Sequence, residues 1–416
     1  MVDLNAPHAT SGRWWLLAGV WLLYACFGLI AASIAPLVLQ IENDLHISHI
    51  QMGSVMGAWQ LVYIFSALPC GALLDRIGVR SALVLGGGLL VLSALGRAWA
   101  VDYWTLLLAV GLFGLGGPII SSGAPKLVAE VFASSERGLA MGIYMTGPAI
   151  GGVICLTLTH SVLLPALAGE WRNLFLLWAG VTGAASVGWW FLARSRAAPP
   201  KPALRDEPSS SMQVMAVLIA SRSVQVVLVM SVGVFLFNHG LNNWLPELLR
   251  VGGMSATAAG YWAALPTLVG IAGSLIIPRY ATAPRRTWVL LGLCLCAWFA
   301  SLLLLYIEPL ALTAGLILQG IARSSMMTLL VLVLIDLPQV GERRAGVASG
   351  MFFTAAEIGG VLGPLGIGFM YQSYGNFDHA LGGLAGICVL LGLATLYLQR
   401  VGGRAPSQDV HRVSDA

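Results

Sequence analysis

Twelve long apolar segments alternate with short polar connections along the chain. Numbered here as spans 1 to 12, they cover 14–39, 50–74, 81–100, 103–130, 138–166, 172–194, 223–249, 254–281, 287–306, 309–337, 344–372 and 379–399. A helix of about 20 apolar residues crosses the roughly 30 Å hydrocarbon core of a bilayer. The pattern therefore predicts an all-α integral membrane protein with twelve transmembrane helices.

Composition supports a membrane protein and makes soluble classes of function improbable. Of 416 residues, 58% are hydrophobic and 10% are charged, whereas a soluble domain has about 25% charged residues. The net charge of +4 is too small to indicate a nucleic-acid partner. All six cysteines lie in apolar runs, where they behave as small core residues rather than metal ligands. We expect no metal, no cofactor and no partner besides the bilayer and a small solute.

A polar interruption divides the chain into two halves. Residues 194–222 are rich in proline, serine and charge, which predicts a linker that cannot bury a core. The predicted organisation is therefore a six-helix bundle at 1–193, a linker at 194–222, a second six-helix bundle at 223–401 and a disordered tail at 402–416. Seventeen of the 22 lysines and arginines flank the side that carries the N-terminus, against Arg97, Arg172 and Arg250 on the opposite side. The positive-inside rule places both termini in the cytoplasm.

The two halves also repeat in sequence. Seven residues of span 5 recur in span 11 at a constant offset of 208, as in Gly138 and Gly346 or Gly142 and Gly350. Matches at similar offsets link span 4 to span 10 and span 1 to span 7. Two parallel repeats joined by a linker are typical of transporters whose site lies near the midplane, between the halves.

The turn between spans 2 and 3 carries a charged motif, with Gly71, Asp75, Arg76, Gly78 and Arg80 in one short stretch. This motif, with twelve spans and a central linker, resembles the signature loop of the major facilitator superfamily. The resemblance implies two pseudo-symmetric six-helix bundles and alternating access. It also implies a gating role for Asp75, Arg76 and Arg80, because the aspartate would meet the N-terminus of span 11.

Span 5 contains a second motif, in which residues 147 to 152 read Gly-Pro-Ala-Ile-Gly-Gly. It resembles the core of a motif found in proton-coupled antiporters. Two readings remain open. Glycines and a proline bend allow close helix packing, and the same motif can serve as a coupling element.

Span 7 is unusually polar for a membrane helix, because it contains Asn238, His239, Asn242 and Asn243. Such groups need partners or water inside a bilayer. Together with Arg323 and the glycines of span 4, this run is similar to the cyanate-permease-like branch of the superfamily, which includes carriers of small anions and nitroimidazoles. The candidate substrate-binding residues here are Asn238, His239 and Asn242.

Arg323 and Glu357 place full charges near the middle of spans 10 and 11. Their repeat partners are Ile120 and Ala149, so the repeated fold does not require a charge at either position. In one interpretation the two residues form a structural ion pair. In the other, Arg323 binds an anionic substrate and Glu357 titrates as the proton-coupling site.

Other polar groups occur at cavity-compatible depth. They are Gln319, one turn before Arg323, and Tyr24, Gln60 and Tyr144 in the first half. Lys126 and Glu130, four residues apart, suggest a local ion pair at the end of span 4.

These features predict a monomeric secondary transporter of the bacterial inner membrane, moving a small organic anion or polar solute. One midplane arginine favours a monocarboxylate, which guanidinium binds through two parallel hydrogen bonds. Proton coupling is an option, and the alternative function is a proton-coupled drug exporter. The sequence has no His-Glu-x-x-His, Gly-x-Ser-x-Gly or Walker motif, so neither an enzyme nor a self-contained ATP-driven pump is expected.

Overall fold

The computed structural model describes residues 7–194, 211–282, 284–306 and 308–402. Twelve of its helices are long and apolar enough to cross a membrane. In the order of spans 1 to 12 they are Gly12–Leu45, His49–Ile77, Val79–Ala98, Tyr103–Val131, Ser135–Ala166, Trp171–Arg194, Arg222–Val251, Ala256–Tyr280, Arg286–Leu303, Pro309–Asp336, Arg344–Tyr374 and Asp378–Arg400. The predicted all-α, twelve-span fold is confirmed.

A shorter helix, Ser211–Ala220, precedes span 7 and lies inside the stretch predicted as a linker. Its sequence is apolar except at the first residues, and the predicted span 7, which begins at residue 223, did not include it. Residues 195–210 of the predicted linker and 403–416 of the predicted tail lie outside the described residues.

Polar caps mark where several spans begin. Ser48 and Gln51 form a reciprocal capping box at the start of span 2, and Asp102 and Thr105 form one at the start of span 4. The N–H and hydroxyl of Thr105 donate to the Asp102 carboxylate and hold its pKa below the usual range. Such caps satisfy backbone N–H groups that the first helical turn leaves unpaired.

Span 1 is broken near its end, where a helix to Ala32 is followed by a 3₁₀ turn at Ala35–Leu37 and a helix from Val38. Arg97 of span 3 caps this break, because its Nη1 donates to Ile30 O at 2.8 Å and to Ser33 Oγ at 3.2 Å. Arg97 is only 1% exposed, although it lies at the opposite-side end of span 3. A cation at helix carbonyls is favourable, and aromatic faces of Phe113 and Phe175 cover the guanidinium.

The sequence repeat corresponds to repeated packing. Span 5 packs against span 1, and span 11 packs against span 7 in the same way. A Cβ at Gly151 would lie 2.0 Å from Ala25 O, and one at Gly359 would lie 1.9 Å from Val232 O. The repeated glycines therefore allow backbones to touch, as small residues do at membrane helix interfaces.

Candidate functional site

For orientation, the side on which span 1 begins and span 12 ends is called the terminal side, and the other is called the opposite side. One face of span 11 is directed towards span 2, because residues 346, 350, 357, 361, 364 and 368 are spaced by three, four or seven positions and so lie on one side of the helix. Towards the opposite side this face is packed. A Cβ at Gly53 of span 2 would lie 2.6 Å from Pro364 O, and one at Gly368 would lie 2.4 Å from His49 O.

Towards the terminal side the same face has no close neighbour. A Cβ at Gly346 or Gly350 would meet nothing within 4 Å, and neither would one at Gly71 of span 2. Spans 5 and 8 repeat the arrangement: a Cβ at Gly260 would lie 2.3 Å from Leu156 O, whereas Gly138 and Gly142 are unobstructed. The halves therefore meet near the opposite side and diverge towards the terminal side, leaving a cleft between them.

The predicted polar residues of the two halves come together at the closed end of this cleft. Gln60 of span 2 reaches across to His239 of span 7, with Nε2 and Nδ1 3.2 Å apart. In the second half, Gln319 Nε2 donates to Asn242 Oδ1 at 3.3 Å. These contacts join four of the predicted site residues, on spans 2, 7 and 10, in one region.

Arg323 lies in the middle of the helix Pro309–Asp336 and is half-buried. Its Nη1 donates to the Thr267 hydroxyl of span 8 at 2.7 Å. Glu357 is not its partner, since no ion pair joins the two side chains within 4 Å in the described part of the chain. The structural ion-pair interpretation is therefore wrong for this conformation. A neutral hydroxyl leaves the charge of Arg323 uncompensated.

Glu357 is 6% exposed, and its Oε2 has no hydrogen-bond partner. It lies beside Gln60 of the other half: a Cβ at Gly360 would be 2.9 Å from Gln60 Cγ and 3.0 Å from Glu357 Oε2. The carboxyl group therefore lies at the boundary between the halves, where a change in their relative position changes its surroundings.

Four buried acceptor oxygens of this region lack a donor. They belong to Gln60 (Oε1), Asn238 (Oδ1), Gln319 (Oε1) and Glu357 (Oε2). A buried polar atom without a partner costs about 1–3 kcal/mol. Buried polar groups are normally hydrogen-bonded, so these four oxygens require a partner such as a ligand or water. A solute that brings hydroxyl donors would satisfy them.

Aromatic side chains form the first-half wall. Tyr24 lies between Tyr144 and Phe27, with ring centroids 5.7 Å and 5.5 Å away. Trp59 continues the wall from Phe27, at 6.2 Å, to His239, at 5.8 Å. Sequence reasoning proposed Tyr24 and Tyr144 but missed Trp59 and Thr267. Trp59 is one of 14 tryptophans, and a threonine in an apolar run carries no distinguishing pattern.

The charged loop at the terminal side makes contacts within the first half. The Asp75 carboxylate contacts the Lys126 ammonium of span 4, and Arg80 Nη1 donates to Ala193 O of span 6 at 3.0 Å. The predicted Lys126–Glu130 pair is therefore wrong, because the Asp75 carboxylate takes the ammonium instead. Arg76 is exposed. The gating role of this loop remains a prediction.

No group of three or more His, Cys, Asp or Glu in the described ranges is arranged to hold a metal ion. The side chains at the closed end of the cleft offer charge pairing, hydrogen bonding and aromatic contact, which suit reversible binding of a polar solute.

The chain is similar to known membrane transporters in sequence and in fold. The uncharacterized transporter YycB of Bacillus subtilis (strain 168) is 24% identical, covering 93% of this chain and 95% of its own. The hexuronate transporter of the same organism is 23% identical, covering 86% and 88%. Among solved structures, an inward-facing, unoccupied bacterial homologue of the lysosomal transporter Spinster has a TM-score of 0.76 at 16% identity, covering 94% of this chain and 97% of its own.

The sequence model of the Major Facilitator Superfamily matches residues 20–364, which is most of the chain. The twelve spans, the repeated packing of the two halves and the cleft between them agree with this match. The chain is a membrane transporter, not an enzyme, and belongs to the Major Facilitator Superfamily.

Proposed function

We propose that this transporter carries a small hydroxylated organic monoanion across the bacterial inner membrane by alternating access. The observation that carries the proposal is Arg323, a cation near the middle of the membrane whose hydrogen-bond partner is the neutral hydroxyl of Thr267. A charge at this depth needs compensation, and a substrate carboxylate supplies it. The planar guanidinium donates two parallel hydrogen bonds to a carboxylate.

The unpartnered acceptor oxygens of spans 2, 7, 10 and 11 suggest the rest of the substrate. Hydroxyl groups are the donors that would satisfy Gln60, Asn238, Gln319 and Glu357. A sugar acid combines one carboxylate with several hydroxyls. Relatives named as a hexuronate transporter and a probable L-galactonate transporter, at 23% and 27% identity, support this class. A single arginine favours a monocarboxylate over a dicarboxylate.

Glu357 is the proposed proton-coupling residue. Its carboxyl group lies between the halves, beside Gln60 and without a hydrogen-bond partner on Oε2. A proton taken up there would neutralise a buried charge while the substrate neutralises Arg323. The terminal side is proposed to be cytoplasmic, on the distribution of lysines and arginines. The conformation described here would then be inward-open, and the carrier would act as a monomer.

The narrower resemblance to the cyanate-permease-like branch remains a prediction. Drug export is the second candidate, and a relative named as a quinolone resistance transporter of Acinetobacter baumannii is 24% identical over 92% of both chains. However, Gly147 and Gly151 lie against the backbone of span 1, where a Cβ would be 2.9 Å from Trp21 O and 2.0 Å from Ala25 O. Close packing accounts for that motif without a role in export.

Ligand-dependent thermal stabilisation of the purified protein tests the substrate class. The panel contains a hexuronate, an aldonate, an aldarate, cyanate, a nitroimidazole and a lipophilic cation. We expect the first two to raise Tm, since a ligand at 100 times its Kd stabilises by about 2.7 kcal/mol. Arg323→Gln should weaken the effect about 10- to 100-fold in concentration, because a hydrogen bond to a charged group contributes roughly 1.5–3 kcal/mol.

Arg279→Gln is the matched control, because Arg279 is an exposed arginine at the end of span 8. It should respond to ligands as the wild type does. Stabilisation by the cation alone, or a sugar-acid response that Arg323→Gln leaves unchanged, would reject the proposed carboxylate site.

A further inference from the structure

A second group of charged residues lies outside the substrate site, where the halves meet near the opposite side. It comprises Glu42 at the end of span 1, His49 at the start of span 2, and Glu247 and Arg250 at the end of span 7. We call these four residues the gate cluster. Sequence reasoning missed it because each residue is near a span end, where charges are ordinary.

Two acid–base pairs make up the gate cluster, one from each half. Glu42 Oε2 lies 3.2 Å from His49 Nδ1, and Glu42 is 6% exposed. Glu247 is 4% exposed and receives two hydrogen bonds from Arg250, at 2.8 Å from Nε and 2.6 Å from Nη2. The second pair is internally satisfied, whereas Glu42 Oε1 and His49 Nε2 have no partner.

The His49 side chain of the first half packs against aromatic residues of the second half. Its ring stacks on Tyr371 of span 11, with centroids 4.3 Å apart and planes 7° apart. The same ring also stacks on Trp244 of span 7, with centroids 5.7 Å apart and planes 16° apart. Beside it, Ile50 N donates to Gln372 Oε1 at 3.1 Å. Opening the opposite side must break these contacts, so the charge of His49 and Glu42 bears directly on whether the gate stays closed.

The charge balance of the cluster depends on one proton. Glu42 and Glu247 supply two negative charges, and Arg250 supplies one permanent positive charge. Tyr371 contributes a phenol from span 11. Without a proton on the Glu42–His49 pair, a negative charge is left where the two halves meet. With one proton, on either Oε2 or Nδ1, both pairs are neutral overall. Burying an uncompensated charge costs several kcal/mol.

We propose that Glu42 and His49 form a proton-binding site whose occupancy holds the opposite side closed. The inference rests on the alternating access proposed above. When the opposite side opens, the pair is exposed to solvent there and takes up a proton, which is shared between Oε2 and Nδ1. The neutral cluster then favours closure around His49, Trp244 and Tyr371. Loss of that proton would leave the uncompensated charge and favour opening. This site is separate from Glu357, which lies deeper between spans 2 and 11.

Distances between spin labels in substrate-free protein test the proposal. Asn43→Cys and Ser373→Cys place labels at exposed positions of the two halves on the opposite side. The protein without these two cysteines is the labelling blank, because the native cysteines are buried or half-buried. For the wild-type gate we expect the short-distance population to grow as pH falls from 8.5 to 5.5.

Two variants give opposite expectations. His49→Gln leaves Glu42 to hold the proton alone, so the short-distance population should grow only at lower pH than in the wild type. The double variant Glu42→Gln/His49→Gln removes both titrating groups, so it should restore that population and make it independent of pH. His379→Gln is the matched control, because His379 is exposed on the same side and stacks on Tyr374. It should keep the wild-type pH response.

A pH response in His49→Gln that is not shifted from that of the wild type, or a double variant that stays as open as His49→Gln at pH 8.5, would overturn the proposal. Sugar-acid stabilisation measured on the same samples reports separately on the substrate site. A gate response without sugar-acid stabilisation would reject the substrate class and leave the proton site intact.

Discussion

Burying the charge of Arg323 near the middle of a span costs free energy, and that cost indicates that the residue has a functional role. In the repeated fold its counterpart is Ile120, so a carrier of this architecture packs without a charge at that depth. Among the described residues, the guanidinium donates one hydrogen bond, to the neutral Thr267, and pairs with no carboxylate. A cation retained under these conditions is more easily explained by a transient anionic partner than by packing.

Glu357 leads to a residue-scale prediction. If this carboxyl carries the coupled proton, Glu357→Gln removes the site where the proton is taken up while keeping the shape of the side chain. Uptake driven by an inward proton gradient should fall to background in proteoliposomes. Exchange of labelled for unlabelled sugar acid across the same membrane should persist.

The control for this variant is Glu308→Gln, which removes an exposed carboxylate just before span 10. It should transport as the wild type does. If Glu357→Gln still accumulates substrate against its gradient when a proton gradient is imposed, Glu357 is not the coupling residue.

The charged residues of the site could be located from sequence, whereas their partners could not. Arg323 and Glu357 stand out because a charge in an apolar run is conspicuous, and helical rise gives its depth. Thr267 and Trp59 do not stand out, because threonine and tryptophan occur throughout membrane helices. The structural ion pair between Arg323 and Glu357, which was one of the two interpretations, is absent for a similar reason. Adjacent spans and equal depth do not determine which way two side chains point.

At the scale of elements, the repeated glycines of spans 5 and 11 divide into two groups. Gly151 and Gly359 touch the backbones of spans 1 and 7, whereas Gly142 and Gly350 have open space beside them. The offset of 208 predicted that both groups recur. It could not show which were packed, because that depends on the neighbouring span.

This division predicts different effects of the same substitution within one helix. Gly359→Ala places a Cβ 1.9 Å from Val232 O, so spans 7 and 11 must separate. We expect a loss of about 1–3 kcal/mol in stability, as for other overpacked interfaces. Gly350→Ala meets nothing within 4 Å and should stay within about 0.5 kcal/mol of wild type. Thermal unfolding of the purified variants measures both, and equal losses would contradict the packing.

At the scale of the whole molecule, the helix faces that join the two halves are packed along only part of their length. Span 11 packs on span 2 from Glu357 to Gly368, and the same face is open at Gly346 and Gly350. Spans 5 and 8 repeat this pattern. Hydrophobicity predicted the twelve spans and the two bundles. It could not predict the side of the molecule to which the cleft opens. Sequence is the same in every conformation of a carrier, and only the contacts between halves distinguish them.

The last prediction concerns the open portion of this face of span 11, at Gly346 and Gly350. Alternating access requires the halves to close on the terminal side, which would bring Gly350 of span 11 against span 2. Gly350→Leu adds an isobutyl group that fits the open cleft but obstructs that closure. Binding of sugar acid, measured by thermal stabilisation, should therefore persist, while both net uptake and exchange fall to the level of empty liposomes.

Gly180→Leu is the matched control, because Gly180 is exposed on span 6 with nothing within 4 Å of an added Cβ. It should transport normally. Wild-type exchange by Gly350→Leu would mean that this face stays apart throughout the cycle, and the terminal side would have to close through other residues.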